Sequence, residues 1–89
     1  MDQIKISKAL SEPARYKIIK AVSEQGSLSC GEIEGLFELS QPTISHHCRI
    51  LNDSGLVSMK RTGQKSMVSL NKDIFSEYTE KIQKDFKIL

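Results

Sequence analysis

The side chains best suited to metal binding or nucleophilic chemistry gather at one place. His46, His47 and Cys48 are consecutive, and the one other cysteine is Cys30. A zinc site wants three or four Cys, His or carboxylate ligands converging on one point. Neighbours on a helix splay by about 100°, so His46 and His47, or His47 and Cys48, do not face one ion together. The chain has no further histidine. No metal is expected at the trio. Cys48 reads as a small buried apolar residue, His47 as a ring packed at the border of the core, and His46 as an outward-facing group. No nucleophile–base–carboxylate set, glycine-rich phosphate loop or paired acid accompanies them, so neither an enzyme nor a cofactor is expected. A thiol-based redox role for Cys30 and Cys48 stays open, because a disulfide needs only that their Cα atoms come within about 7 Å.

The elements around the trio explain its residue types better than metal chemistry does. "SCGE", residues 29–32, fits a capping box in which Ser29 caps a helix and Glu32 reaches back. Ile33, Leu36 and Phe37 give that helix one apolar face, and it closes near Glu38. Ser40 can cap the next helix, with Pro42 in its first turn. Ile44, Cys48 and Leu51 then recur at i, i+4 and i+7 and point inward. Asn52-Asp53-Ser54-Gly55 ends this helix, 41–53, with glycine past its last turn and Leu56 as the apolar contact that follows. Two short helices joined by about three residues form a helix-turn-helix.

Earlier in the chain, residues 3–9 read as a short helix carrying Ile4 and Ile6. Ser11 is expected to cap a second helix with Pro13 in its first turn, and Ala14, Ile18, Ile19 and Val22 mark its apolar face. Gln25-Gly26 ends it, and Ser27-Leu28 is a brief extended piece. After Leu56, "LVSMKR" and "SMVSLN" alternate as strands around the glycine-containing tip "TGQK". Asn71 caps a last helix, about 72–88, whose Phe75, Tyr78, Ile82, Phe86 and Leu89 form an apolar seam. The expected fold is mainly α with a β-hairpin wing, a winged helix-turn-helix in the order α-α-α-α-β-β-α. It is expected as one domain over 1–89.

The outward side of helix 41–53 carries Gln41, Thr43, Ser45, His46, Arg49 and Asn52. Such donors and acceptors suit the major groove of B-DNA, where each base pair shows its own pattern of donors and acceptors. Ser40, Gln41 and Thr43 stand at the helix N-terminus, where backbone N–H groups also suit phosphate. The wing adds Lys60, Arg61, Thr62, Gln64 and Lys65 for phosphate or minor-groove contact.

Charge agrees. The chain carries a formal net charge of only +2, yet residues 22–40 hold four glutamates and no lysine or arginine, while residues 41–72 hold five cations and one aspartate. A basic segment that contains the polar helix points to a polyanion. With 38% apolar and 27% charged residues the chain fits a globular protein. It has no run near the ~18 apolar residues of a membrane helix. "MDQIKISKAL" lacks the apolar centre of a signal peptide, and two cysteines without framework spacing suit a reducing cytoplasm. The expected location is cytoplasmic, with no membrane partner. The two ends add surplus apolar surface, Ile4 and Ile6 with Phe75, Tyr78, Ile82 and Phe86, as at an interface between copies.

"LSEPARYKIIKAV", "LSQPTISHHCRILNDSGLV" and "RTGQKSMVSLN" together resemble the ArsR/SmtB family of bacterial winged-helix repressors over roughly residues 8 to 72. The resemblance implies a homodimer joined through its first and last helices (about 2–10 and 72–88), and operator binding released by an effector. It places Ser40, Gln41, Thr43, Ser45 and His46 on the family's DNA-contacting positions and Arg61 to Lys65 on its wing. Many members sense metals through a Cys-Val-Cys-Asp-Leu stretch. The matching residues here are Ser29-Cys30-Gly31-Glu32-Ile33, so both ligand positions are lost. A second family site uses Asp and His on the last helix, and "NKDIFSEYTEKIQKDFKIL" has no His. Glu38 stands where the family often has a turn glycine.

The expected function is therefore a sequence-specific, homodimeric DNA-binding repressor. Helix 41–53 and wing 60–66 would read a palindromic operator in double-stranded DNA. The residues name no effector. The competing readings are a winged-helix module that docks a protein without DNA, and a cysteine-based redox-responsive repressor.

Overall fold

The computed structural model describes residues 1–88; Leu89, the last position of the expected seam, lies outside the described residues. The chain runs α1 (Gln3–Ser11), α2 (Pro13–Gln25), β1 (Ser27–Ser29), α3 (Cys30–Phe37), α4 (Gln41–Ser54), β2 (Val57–Thr62), β3 (Lys65–Leu70) and α5 (Lys72–Asp85). Among the described residues, five helices and a three-stranded antiparallel sheet make a mainly helical winged helix-turn-helix.

Several sequence expectations need correction at this level. Ser11 does not cap α2. It is the last residue of α1, and its hydroxyl donates to the Lys8 carbonyl at 2.7 Å. Pro13 opens α2, which leaves Glu12 as its cap, and the Glu12 carboxylate accepts from the Arg15 N–H at 2.9 Å. The brief extended piece at 27–28 is also more than a connector. As β1 it adds a third strand to the hairpin, pairing antiparallel with β3 so that Leu28 meets Val68. The sheet order is β1-β3-β2, which pins the base of the wing to the helical body.

The core is built from one stripe of each helix plus the inner residues of the sheet. Ile6, Ile18, Ile33, Ile44, Leu51 and Val68 are buried at its centre. Burying a side chain of that size is worth about 1.5–3 kcal/mol, so these six positions outweigh the small contributions of surface ion pairs. Ile6 therefore leaves the list of exposed end residues: it is 0% accessible within its own protomer. Its neighbour Ile4 remains 63% exposed.

The helix ends follow local chemistry. Ser29 and Glu32 form the reciprocal capping box, at 3.1 Å and 2.9 Å. Gly55 closes α4 at φ 89°, and its N–H donates to the Asn52 carbonyl. The Ser54 hydroxyl, buried beside it, donates to the Leu51 carbonyl and accepts from the Leu56 N–H, steering the chain into β2. Asn71 caps α5 by accepting from the Ile74 N–H. That helix ends at Asp85, three residues short of the expected boundary, and none of its residues is fully buried. It lies alongside α1, joined by Tyr78 to Ser7 at 2.7 Å and by Gln3 to Asp85 at 2.8 Å.

Between α3 and α4 the chain turns through Glu38, which adopts a left-handed conformation with φ 52° and ψ 35°. A residue with a Cβ pays roughly 1–2 kcal/mol there, and glycine does not. Glu38→Gly should raise the urea midpoint by an amount equivalent to about 1 kcal/mol with an unchanged m-value. A lower midpoint would mean that the Glu38 side chain contributes more than its backbone costs.

Candidate nucleic-acid interface

Helix α4 has two chemically distinct sides. Ile44, Cys48 and Leu51 face the core with His47 at its edge. The opposite side presents Gln41, His46 and Arg49 to solvent, with Thr43 and Ser45 half-buried along its flanks. The N-terminus is organised by Ser40, whose hydroxyl accepts from the Thr43 N–H at 3.4 Å and lies 2.9 Å from the Thr43 hydroxyl. Ser40 and Thr43 thus form a small polar unit at the positive end of the helix, the end that favours anions.

The wing leaves the body as a two-stranded ribbon. Val57 is buried at its root, and the rest of β2 is exposed. Thr62 pairs with Lys65 across a two-residue turn, with Gly63 at φ 62° in its first position, where a type II′ hairpin turn takes glycine. Lys60, Arg61, Thr62, Gln64 and Lys65 are all exposed on this ribbon. The Arg61 Nε donates to the Gly63 carbonyl at 3.4 Å, so its guanidinium is held against the hairpin tip.

The opening trio resolves into separate roles. His46 and His47 have ring centroids 5.9 Å apart and tilted by 50°, as adjacent helix positions require. Among the described residues no group of three His, Cys, Asp or Glu side chains is placed to hold a metal ion. Cys48 is fully buried, and burial, reinforced by the neighbouring Cys30 thiol, pushes its thiol up to about 12. Almost none of it is thiolate at neutral pH, and the thiolate is the reactive form. Both cysteines are free thiols.

His47 belongs to a tether that sequence reasoning missed. Arg15 on α2 donates from Nη1 toward His47 Nδ1 at 3.3 Å, so Nδ1 is the unprotonated nitrogen of a neutral ring. The same guanidinium donates from Nε to the Ala9 carbonyl at 2.8 Å, closing off the end of α1. Glu12 Oε2 stands 3.9 Å from His47 Nε2. One arginine therefore links three helices and fixes how α4 sits on its scaffold. Pro13 at the first helical position signals that Glu12 is the cap, but nothing local signals the link from Arg15 to His47.

A half-buried and exposed polar helix face, its anion-favouring N-terminus and an adjacent cationic ribbon define a winged helix-turn-helix DNA-binding regulator. Residues 12–59 match the model of the bacterial regulatory protein, arsR family, and the chain belongs to that family. It is 40% identical to the arsenical resistance operon repressor of Staphylococcus xylosus, over 82% of this chain and 68% of that protein. It is 36% identical to the transcriptional repressor SdpR of Bacillus subtilis, over 81% of this chain and 79% of that protein. A solved ArsR family transcriptional regulator superimposes with a TM-score of 0.85 at 22% identity, covering 98% of this chain and 96% of that one. The homodimeric winged helix-turn-helix DNA-binding domain of a Mycobacterium bovis protein gives 0.77 at 22% identity, over 99% and 82%.

Two expectations follow. Burial lowers the His47 pKa below its ordinary value, Glu12 pulls it partly back, and Arg15 and His46 lower it further. The folded ring thus binds its proton less readily than the unfolded one. The neutral tether is intact above the unfolded value of 6.5, and stability is lost as pH falls through the depressed folded value. Urea unfolding between pH 8 and 5 should show this decline, with a shallower slope in His47→Gln; parallel slopes would assign the decline to other groups. Separately, Cys48 in the native protein should resist iodoacetamide at pH 8 for as long as the chain stays folded. Mass spectrometry of a time course checks this, and rapid native labelling would contradict the raised thiol.

Proposed function

We propose that the chain is a homodimeric transcriptional repressor that reads a palindromic operator with α4 and its wing. The observation that carries this reading is the outward side of α4: Gln41, His46 and Arg49 are exposed while Ile44, Cys48 and Leu51 of the same helix are buried. Gln41 and Arg49 are the base readers, since Gln pairs with adenine and Arg with guanine through two hydrogen bonds. Ser40, Thr43 and Ser45 hold the helix end to phosphate, and His46 contacts the groove wall. Lys60, Arg61, Thr62, Gln64 and Lys65 grip the adjacent backbone. Relatives named as repressors support the regulatory role.

Residues 1–89 act as one DNA-binding domain whose end helices, about 2–10 and 72–88, pair two copies. Ile4 and Phe86 are exposed, and Ile82 is half-buried. Phe75 and Tyr78 serve the protomer first, resting against its core, and Ile6 is excluded by its burial. Two-fold pairing presents two α4 helices to successive major grooves about 34–36 Å apart. A homodimeric solved relative of the same fold supports this arrangement. Thiol regulation is the weaker reading, because the Cys48 thiol is pushed up to about 12.

Selection of bound fragments from genomic DNA, followed by titration on the selected duplex, tests the proposal. Gln41→Ala and Arg49→Ala should each cost about 1–3 kcal/mol on the selected site and little on random duplex. Lys60→Ala and Lys65→Ala should weaken both alike and reduce the salt slope by about one per contact. No duplex binding at low salt would sink the reading in favour of a protein-docking module.

A further inference from the structure

His47 has two partners that favour opposite protonation states. The ring is buried at the inward border of α4, one residue from the exposed His46. On one edge, Arg15 Nη1 stands 3.3 Å from Nδ1. A guanidinium only donates, so this contact needs a bare Nδ1 and a neutral ring. On the other edge, Glu12 Oε2 stands 3.9 Å from Nε2. A carboxylate only accepts, and it favours a ring that carries a proton on both nitrogens.

Neither partner is free to adapt. The Glu12 oxygen that faces His47 also accepts the Arg15 N–H at 2.9 Å, as the cap of α2. The Arg15 guanidinium is held on α1, from Nε to the Ala9 carbonyl at 2.8 Å and from Nη2 to the Lys8 carbonyl at 3.5 Å. The Lys8 side chain itself is exposed. The charged and titratable groups that act on the ring are thus Glu12 and Arg15 from α2 and His46 from its own helix. A second proton on the ring would set an N–H at Nδ1 against an arginine N–H that backbone carbonyls keep in place. Two donors and two positive charges would then face each other, and like charges at such a distance repel. The ring parts from Arg15 and leans toward Glu12. Helix α4 cannot answer by rotating, because Ile44, Cys48 and Leu51 are buried. What remains is a small slide along its axis.

We infer that the Arg15–His47 contact is a proton-sensitive latch on α4: a neutral ring holds the helix where it reads bases, and a charged ring releases it while the fold persists. Arg15 and His47 are then positioning residues, acting through α4 rather than on the duplex. The inference rests on α4 being the DNA-reading helix and adds a control over it. Its direction runs against the usual trend. Acidification adds positive charge, which strengthens the grip on any polyanion; the latch instead weakens discrimination between sequences. Coupling between two binding events is reciprocal. If charging the ring disfavours the specific complex, the specific complex disfavours charging the ring. Nearby phosphates alone would do the reverse.

The test uses the full chain with two probes, a duplex selected from genomic fragments and a random duplex, from pH 8 to 5.5 at fixed ionic strength. The ratio of selected to random affinity should drop about tenfold in the wild type, the equivalent of one pH unit of linkage. It should stay level in His47→Gln, whose amide oxygen can accept from Arg15 at every pH. Arg15→Met should lower the ratio at pH 8 and flatten its pH dependence. NMR of the histidine rings should show His47 titrating at lower pH on the selected duplex than in the free chain. Three results overturn the latch: a ratio that falls equally in His47→Gln, a His47 ring that gains its proton more readily on the selected duplex, or a chain that unfolds before the ring titrates. No binding to either duplex at any pH sinks the DNA reading instead, and the latch is then judged on the free chain. Backbone amide shifts of residues 41–54 should follow the His47 titration in the wild type, and no such curve should appear in His47→Gln. Amides that ignore the ring overturn the latch.

Discussion

The structure depends on α4 keeping its two sides apart. Its inward stripe of Ile44, Cys48 and Leu51 supplies the centre of the hydrophobic core, so α4 cannot rotate without exposing that stripe. A rotation of one residue, about 100°, would carry His46 inward and Cys48 toward solvent. The cost of burying an unpaired ring and exposing apolar surface fixes the orientation. The outward residues inherit that precision at no extra cost in order. This is why a chain of 89 residues can hold that polar side steady: it belongs to the same helix that closes the core.

The Arg15 tether sharpens this fixity in a direction that packing alone leaves soft. Hydrophobic burial resists rotation of α4 but is tolerant of small slides along its axis. Directed hydrogen bonds from one guanidinium to His47 and to the Ala9 carbonyl remove that tolerance. The tether holds only with a neutral ring, since Nδ1 must accept. Position 47 is thus a structural histidine whose neighbour at 46 is free to face outward. Two identical residue types in sequence carry unrelated duties, separated by a single step around the helix.

Much of this was legible because local and global signals agreed. The capping box at Ser29–Glu32, the Ser40 cap with Pro42, Gly55 and the Asn71 cap each place an element boundary that the structure reproduces. The burial of Ile44, Cys48 and Leu51 followed from a period of 3.6. Three features escaped. Ile6 and Ile4 both look like end residues in sequence, and only the docking of α1 across the core decides which is buried. β1 is three residues long, too short for alternation to be read, and gains its strand character from pairing with β3. The role of Arg15 needs a partner 32 residues away, which no local pattern encodes. The outward residues of α4 were readable as a polar face; whether any of them meets a base depends on a second molecule.

The strand order has one more consequence. With β3 in the middle, β2 lies at the border of the sheet, and all but its first residue is exposed. A long bare border of this kind invites another molecule's strand to add on, the first step toward insoluble fibres. Lys60 and Arg61 sit on that border, with Lys65 across the tip. Like charges brought face to face repel, so the ribbon discourages its own stacking. The cations proposed to grip a polyanion thus also repel one another wherever two such ribbons approach edge to edge.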